Sequence, residues 1–158
     1  MENRICFISY KTSLPSNIDE KLYNVILQEI YSGHKNFMMG THGKFDNISL
    51  AVCKRLSKDF AIEIEIAITD LYQKKVVQIL NKLDKLYNKQ HNEPILSMFN
   101  IEETNLKDKI ISNYKQMINC SSTLICYFNE KNHNSINTFI LDYAKQKGLK
   151  IINLYDNK

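Results

Sequence analysis

The chain has 158 residues, 44% hydrophobic and 24% charged, ordinary globular values that exclude wholesale disorder. Its length favours a single domain spanning 1–158, large enough to bury a core without metal or disulfide staples. The formal charge of +4 comes from 21 basic and 17 acidic side chains spread along the chain, and only Arg4 and Arg55 are arginines. A nucleic-acid reader concentrates its charge on one face and uses Arg for bidentate contacts, so nucleic acid is disfavoured while an anionic small molecule still fits. Cys6, Cys53, Cys120 and Cys126 form no C-x-x-C pair and read as free thiols of a reducing compartment. No apolar run is long enough for a bilayer, and the start of the chain reads as a first strand rather than a signal peptide. A cytoplasmic protein away from the membrane is expected. The richness in Lys, Asn and Ile points to an AT-rich genome.

In chain order, residues 5–9 form a continuous apolar run, the pattern of a strand covered on both faces. Ser16 and Asp19 after Pro15 predict a capping-box start to a helix striped by Leu22, Val25, Ile26 and Ile30 and ended by Gly33. Residues 36–39 read as a second strand that runs into Gly40-Thr41-His42-Gly43, after which Phe45, Ile48, Val52 and Leu56 return to helical spacing. Residues 62–69 read as a third strand, whose alternation of isoleucine with Glu63 and Glu65 predicts a partly solvated face near an edge. Val76, Ile79, Leu80, Leu83 and Leu86 predict a further helix, and the polar stretch 88–105 holds a short strand at 95–99. Ile110, Ile111, Tyr114, Met117 and Ile118 stripe the next helix. Residues 123–128 form a strand, 136–147 a helix closed by Gly148, and 150–154 a final strand. Alternating strands and helices predict an α/β fold, a Rossmann-like three-layer α/β/α sandwich with a mainly parallel sheet. In such sheets ligands bind beyond the carboxyl ends of the strands.

Three segments carry a resemblance. Cys6-Phe7-Ile8-Ser9-Tyr10-Lys11 is similar to a first-strand ending of apolar residues followed by Gly-His-Arg or Gly-Tyr-Lys. Gly40-Thr41-His42-Gly43-Lys44-Phe45-Asp46 is similar to a G-x-x-G-x-F-D loop opening a second helix. The stretch from Asn113 through Met117-Ile118 and Leu124 to Phe128, continuing with Asp142-Tyr143-Ala144 to Leu154, matches a helix, strand, helix and closing strand of like pattern. Together they resemble the SLOG superfamily, which includes the cytokinin-activating LOG nucleotide hydrolases and DNA-processing protein A. The likeness is greatest to small stand-alone bacterial and phage members. It covers nearly the whole chain except 72–105. Two departures bear on chemistry. Ser135-Ile136-Asn137 stands where the family has Ser-Gly-Thr, which removes a close backbone approach to phosphate, and Ser9 stands for the usual Gly. The hydrolytic signature P-G-G-x-G-T-x-x-E is absent, which counts against that activity.

The resemblance implies a nucleotide-derived ligand, such as a cyclic ADP-ribose-type or cyclic nucleotide immune messenger. The chain would hold it without turnover, as a sensor or as a phage protein sequestering the messenger in the host cytoplasm. It also implies a homo-oligomer, a dimer or larger. Within the 40–46 loop, two glycines allow positive φ and let helix N-terminal amides face an anion; Thr41 and His42 add donors and Lys44 charge, while Asp46 can accept from a ribose hydroxyl. The bland alternative is a capped tight turn. Ser9, Tyr10 and Lys11 leave the first strand at the ligand edge, with Tyr10 suited to a base and Lys11 to phosphate. Asn129, Ser135, Asn137 and Thr138 offer a second phosphate or ribose contact, or simple capping. A nucleotide N-glycosidase or phosphoribohydrolase would need a carboxylate, for which Glu130, Asp46 and Asp70 are the candidates. A DNA-processing-like binder is the second alternative. His34, His91 and His133 lack partners at ligand spacing, so no metal and no cofactor are expected. Tyr23, Tyr87, Tyr114 and Tyr143 read as core margin or oligomer contact.

Overall fold

The computed structural model of the chain describes residues 3–68, 78, 94–99, 101, 105–131 and 135–155. Their elements are β1 (Arg4–Ile8), α1 (Ile18–Tyr31), β2 (Asn36–Met39), α2 (Lys44–Leu56), β3 (Glu63–Ile68), β4 (Ile95–Met98), α3 (Leu106–Asn119), β5 (Thr123–Cys126), α4 (Ser135–Gln146) and β6 (Lys150–Asn153). The six strands form one sheet in the order β4-β3-β2-β1-β5-β6, and every pairing is parallel. This is a Rossmann-like α/β/α sandwich. Each strand lies within two residues of its sequence-based position. The helix expected over 76–86 lies outside the described residues, Gln78 apart.

The strands alternate because both faces are covered. Ile5, Phe7, Phe37, Met39, Ile64, Ile66, Ile68 and Ile125 point to the layer packed with α1 and α2. Cys6, Ile8, Met38, Ala67, Leu124 and Cys126 point to the opposite layer, packed with α3 and α4. β1 lies at the centre, with Ile5, Cys6, Phe7 and Ile8 all fully buried. Burying side chains of this size is the main favourable term in the fold, about 1.5–3 kcal/mol each.

Three local expectations are corrected. β3 is not an edge, since it pairs with β2 and β4, and Glu65 is buried rather than solvated. Its carboxylate accepts from Arg4 Nε at 2.9 Å and from Ser97 Oγ at 2.9 Å, while Arg4 also donates to the Cys120 carbonyl at 2.7 Å. A cation contributed from β1 makes burial of that glutamate tolerable. The capping box is not formed. Asn17 is the N-cap of α1 without a side-chain bond, and the Ile18 amide donates instead to the Pro15 carbonyl. Tyr114 is core rather than margin, 1% exposed within the α3 layer. Among the described residues, no helix is long and apolar enough to cross a membrane.

Candidate ligand-binding site

The strand order reverses between β1 and β5. The chain builds outward from β1 through β2, β3 and β4, then returns to place β5 on the other side of β1. The segments leaving β1 and β5 therefore diverge, and a crevice opens between them at the carboxyl edge. A cleft of about 290 Å³ occupies this place. The segment after β1 contributes Lys11, Thr12 and Ser13; the segment after β5 contributes Phe128, Asn129 and Glu130; α4 contributes Asn137, Thr138, Leu141, Asp142 and Lys145.

Both segments are held by asparagine side chains. Asn137 accepts from the Tyr10 amide at 3.0 Å and donates to the Tyr10 carbonyl at 2.9 Å. Asn153 does the same for Phe128, accepting from its amide at 3.0 Å and donating to its carbonyl at 2.9 Å. Each carboxamide thus continues the ladder where the sheet has ended, satisfying main-chain groups that burial would otherwise leave costly. Ser9 is buried beneath the first segment, donating to the Tyr127 carbonyl at 2.8 Å and lying 2.7 Å from Thr12 Oγ1. Lys11 follows in the left-handed region, with φ of 46°, an unfavourable conformation for a residue with a Cβ. Its Nζ lies 5.3 Å from the centroid of the Tyr10 ring.

The 40–46 loop is a separate structure, and none of its residues lines the cleft. The Gly40 amide donates to Asp46 Oδ1 at 3.1 Å and the His42 amide to Asp46 Oδ2 at 2.9 Å. The Gly43 amide also bonds to this carboxylate. Asp46 is buried, and burial pushes its carboxyl up to about 6 while the three amides pull it down. The anion at this helix start is the chain's own side chain. Positive φ is not what the glycines supply: Gly43 is extended at 179°, and among the described glycines only Gly33 and Gly148 are left-handed. Both the His42 and the Tyr10 rings pack edge-on against Tyr114, at centroid distances of 6.1 and 6.5 Å. Burial pushes the Tyr114 phenol far up, with the Asp46 charge adding to the effect.

Of the sequence-predicted residues, the cleft brings together Lys11, Asn129, Glu130, Asn137 and Thr138. Asn137 lines it mainly as a positioning group, because its amide is engaged with Tyr10. Gly40, Thr41, His42, Gly43, Lys44 and Asp46 belong to the separate turn and its helix, with Lys44 exposed. Ser135 is exposed at the start of α4. Asp70, His91, His133 and Tyr87 lie outside the described residues. Thr12, Ser13, Asp142 and Lys145 were missed. Thr138, Asp142 and Lys145 stand at i, i+4 and i+7, a polar stripe on one face of α4 that helical spacing makes visible in the sequence.

No protein-family model matches the chain, and neither does any curated protein. The chemistry is therefore read from the lining. Two ammonium groups, Lys11 and Lys145, face the same space as two carboxylates, Glu130 and Asp142, over an apolar base of Phe128 and Leu141. Such a set suits a ligand with one anionic end, several hydroxyl or amine donors and a flat apolar part. The buried thiols are not nucleophiles: burial raises Cys6 to about 12 and drives Cys53 and Cys126 further up. Among the described residues no group of three or more His, Cys, Asp or Glu side chains is placed to hold a metal.

Proposed function

We infer that this protein binds a small nucleotide-derived anion in the cleft between the segments that leave β1 and β5. The observation that carries this reading is the position of the cleft, at the carboxyl edge where the strand order reverses. Lys11 and Lys145 would meet phosphate, Glu130 and Asp142 would accept from sugar hydroxyls or base amines, and Phe128 and Leu141 would support a ring. The resemblance to the SLOG superfamily supports a nucleotide signal as the ligand, including messengers of the cyclic ADP-ribose type or cyclic nucleotides. Binding without turnover would make the protein a sensor, or a phage-encoded protein that sequesters a host immune signal. In this reading it works as a homo-oligomer in the cytoplasm.

A second reading is hydrolysis of an N-glycosidic bond. It is favoured by one observation: Asp142 lines the same cleft as Glu130, which supplies the second carboxylate that such chemistry needs. Incubation with a panel of nucleotides, removal of free ligand, heat denaturation and mass spectrometry of the released compound separates the two. Intact nucleotide is the expected result. Free base or ribose phosphate would establish the hydrolase instead, and no retained or altered nucleotide would reject both.

A further inference from the structure

The cleft between the segments leaving β1 and β5 is lined by charges of both signs in equal number, Lys11 and Lys145 against Glu130 and Asp142. All four residues are exposed. Among the described residues none of the four has an ion pair or a side-chain hydrogen bond. Asp142 and Lys145 stand three positions apart on α4, a spacing at which opposite charges can meet on a helix surface, yet they do not pair. Lys11 Nζ lies over the Tyr10 ring instead, 5.3 Å from its centroid. A site for a simple polyanion gains from its lysines and loses from its carboxylates, because each like charge opposes the ligand. With two cations against two anions, this lining has no net charge to offer. Its complement is a ligand that itself carries both signs, held apart. The floor is apolar: Phe128 and Leu141 line the cleft and are largely buried. A flat ring fits there, and an aromatic side chain beside carboxylates favours a ring that is cationic.

We propose that the cleft selects a mononucleotide whose base carries a fixed positive charge, an N-ribosyl pyridinium being the simplest example. This rests on the reading of the cleft as a nucleotide site and narrows its substrate class. The phosphate meets Lys11 and Lys145, the cationic ring lies over Phe128 and Leu141, and Glu130 and Asp142 supply the counter-charge. A neutral base leaves both carboxylates without one. A second phosphate adds an anion, and the lining holds no third lysine to meet it. Because the four charged residues are exposed, each ion pair is worth little, and the selection is a few-fold preference rather than an exclusion.

Nicotinamide mononucleotide and its reduced form are matched probes: they share the ribose, the phosphate and the ring outline, and differ by one positive charge on the ring. Each is titrated into the full chain in mildly alkaline, low-salt buffer, with the amides of residues 128–130 and 137–145 followed in ¹H–¹⁵N spectra. The oxidised form should bind roughly five-fold tighter, the scale of two exposed ion pairs, and the preference should shrink in high salt. Glu130→Gln combined with Asp142→Asn changes two exposed side chains and should bring the two affinities together. Lys145→Ala should weaken both forms and keep their ratio. Equal affinity of the two forms for the wild type, or a preference that survives the double substitution, overturns the proposal and leaves the nucleotide site standing. Should neither form shift these amides, the proposal falls, and adenosine monophosphate in the same titration tells whether the nucleotide site falls with it.

Discussion

Asn137 and Asn153, one on each side of the gap between β1 and β5, hold main chain with their side-chain amides as a neighbouring strand would. Such a residue acts by leaving nothing unpaired. Replacing Asn137 with alanine takes an acceptor from the Tyr10 amide and one donor from its carbonyl, to which Thr12 Oγ1 also donates at 3.2 Å, and the loss of these part-buried bonds should cost about 1–3 kcal/mol. Asn153→Ala should cost a similar amount through Phe128. Urea unfolding measures both as lower midpoints at unchanged slope. Losses below about 0.5 kcal/mol in both variants would mean that water replaces the amides freely and that the clamps do not organise the cleft. The sequence marks Asn137 as a site residue but cannot separate contact from support. That distinction depends on which main-chain groups lie within reach after folding, and Tyr10 is 127 positions away.

Among the elements, the turn and α2 give the clearest pH signature. Asp46 has its carboxyl raised from 3.8 to about 6, so the folded chain binds a proton there more tightly than the unfolded chain does. Stability from this group is therefore greatest below about pH 4 and falls as pH rises towards 6, opposite in sign to a paired carboxylate. The shift corresponds to roughly 3 kcal/mol over that window. Asp46→Asn cannot titrate, so wild-type stability minus variant stability should decline from pH 4 to pH 7. A flat or rising difference curve would show that the amides outweigh burial. The strands were legible because both faces of the sheet are covered and an apolar run needs no partner to be read. Glu65 was misread because its alternation with isoleucine looks like solvation, and its cation, Arg4, arrives from β1. The 40–46 loop was legible as a turn before a helix. That Asp46 fills its own cradle was not, since G-x-x-G-x-F-D is the same string whether the carboxylate turns inward or out.

For the molecule as a whole, strand order decides where chemistry can occur. Lys11, Glu130 and Asp142 are spread over 131 intervals of sequence, from 11 to 142, and meet because β5 docks beside β1 rather than beside β4. An alternating strand–helix pattern predicts the layers and the ligand edge, whereas the reversal point has no local signal: the stripe of Asp142 and Lys145 on α4 is visible in the sequence, but that it faces Thr12 and Ser13 across one crevice is not. The most direct measurement is amide shift mapping of the full chain with adenosine monophosphate and ADP-ribose. The account predicts saturable shifts gathered at residues 11–13, 128–130 and 137–145, reduced at least several-fold in affinity by Lys11→Ala with Lys145→Ala. Saturable shifts gathered elsewhere, or none with either compound, would contradict it.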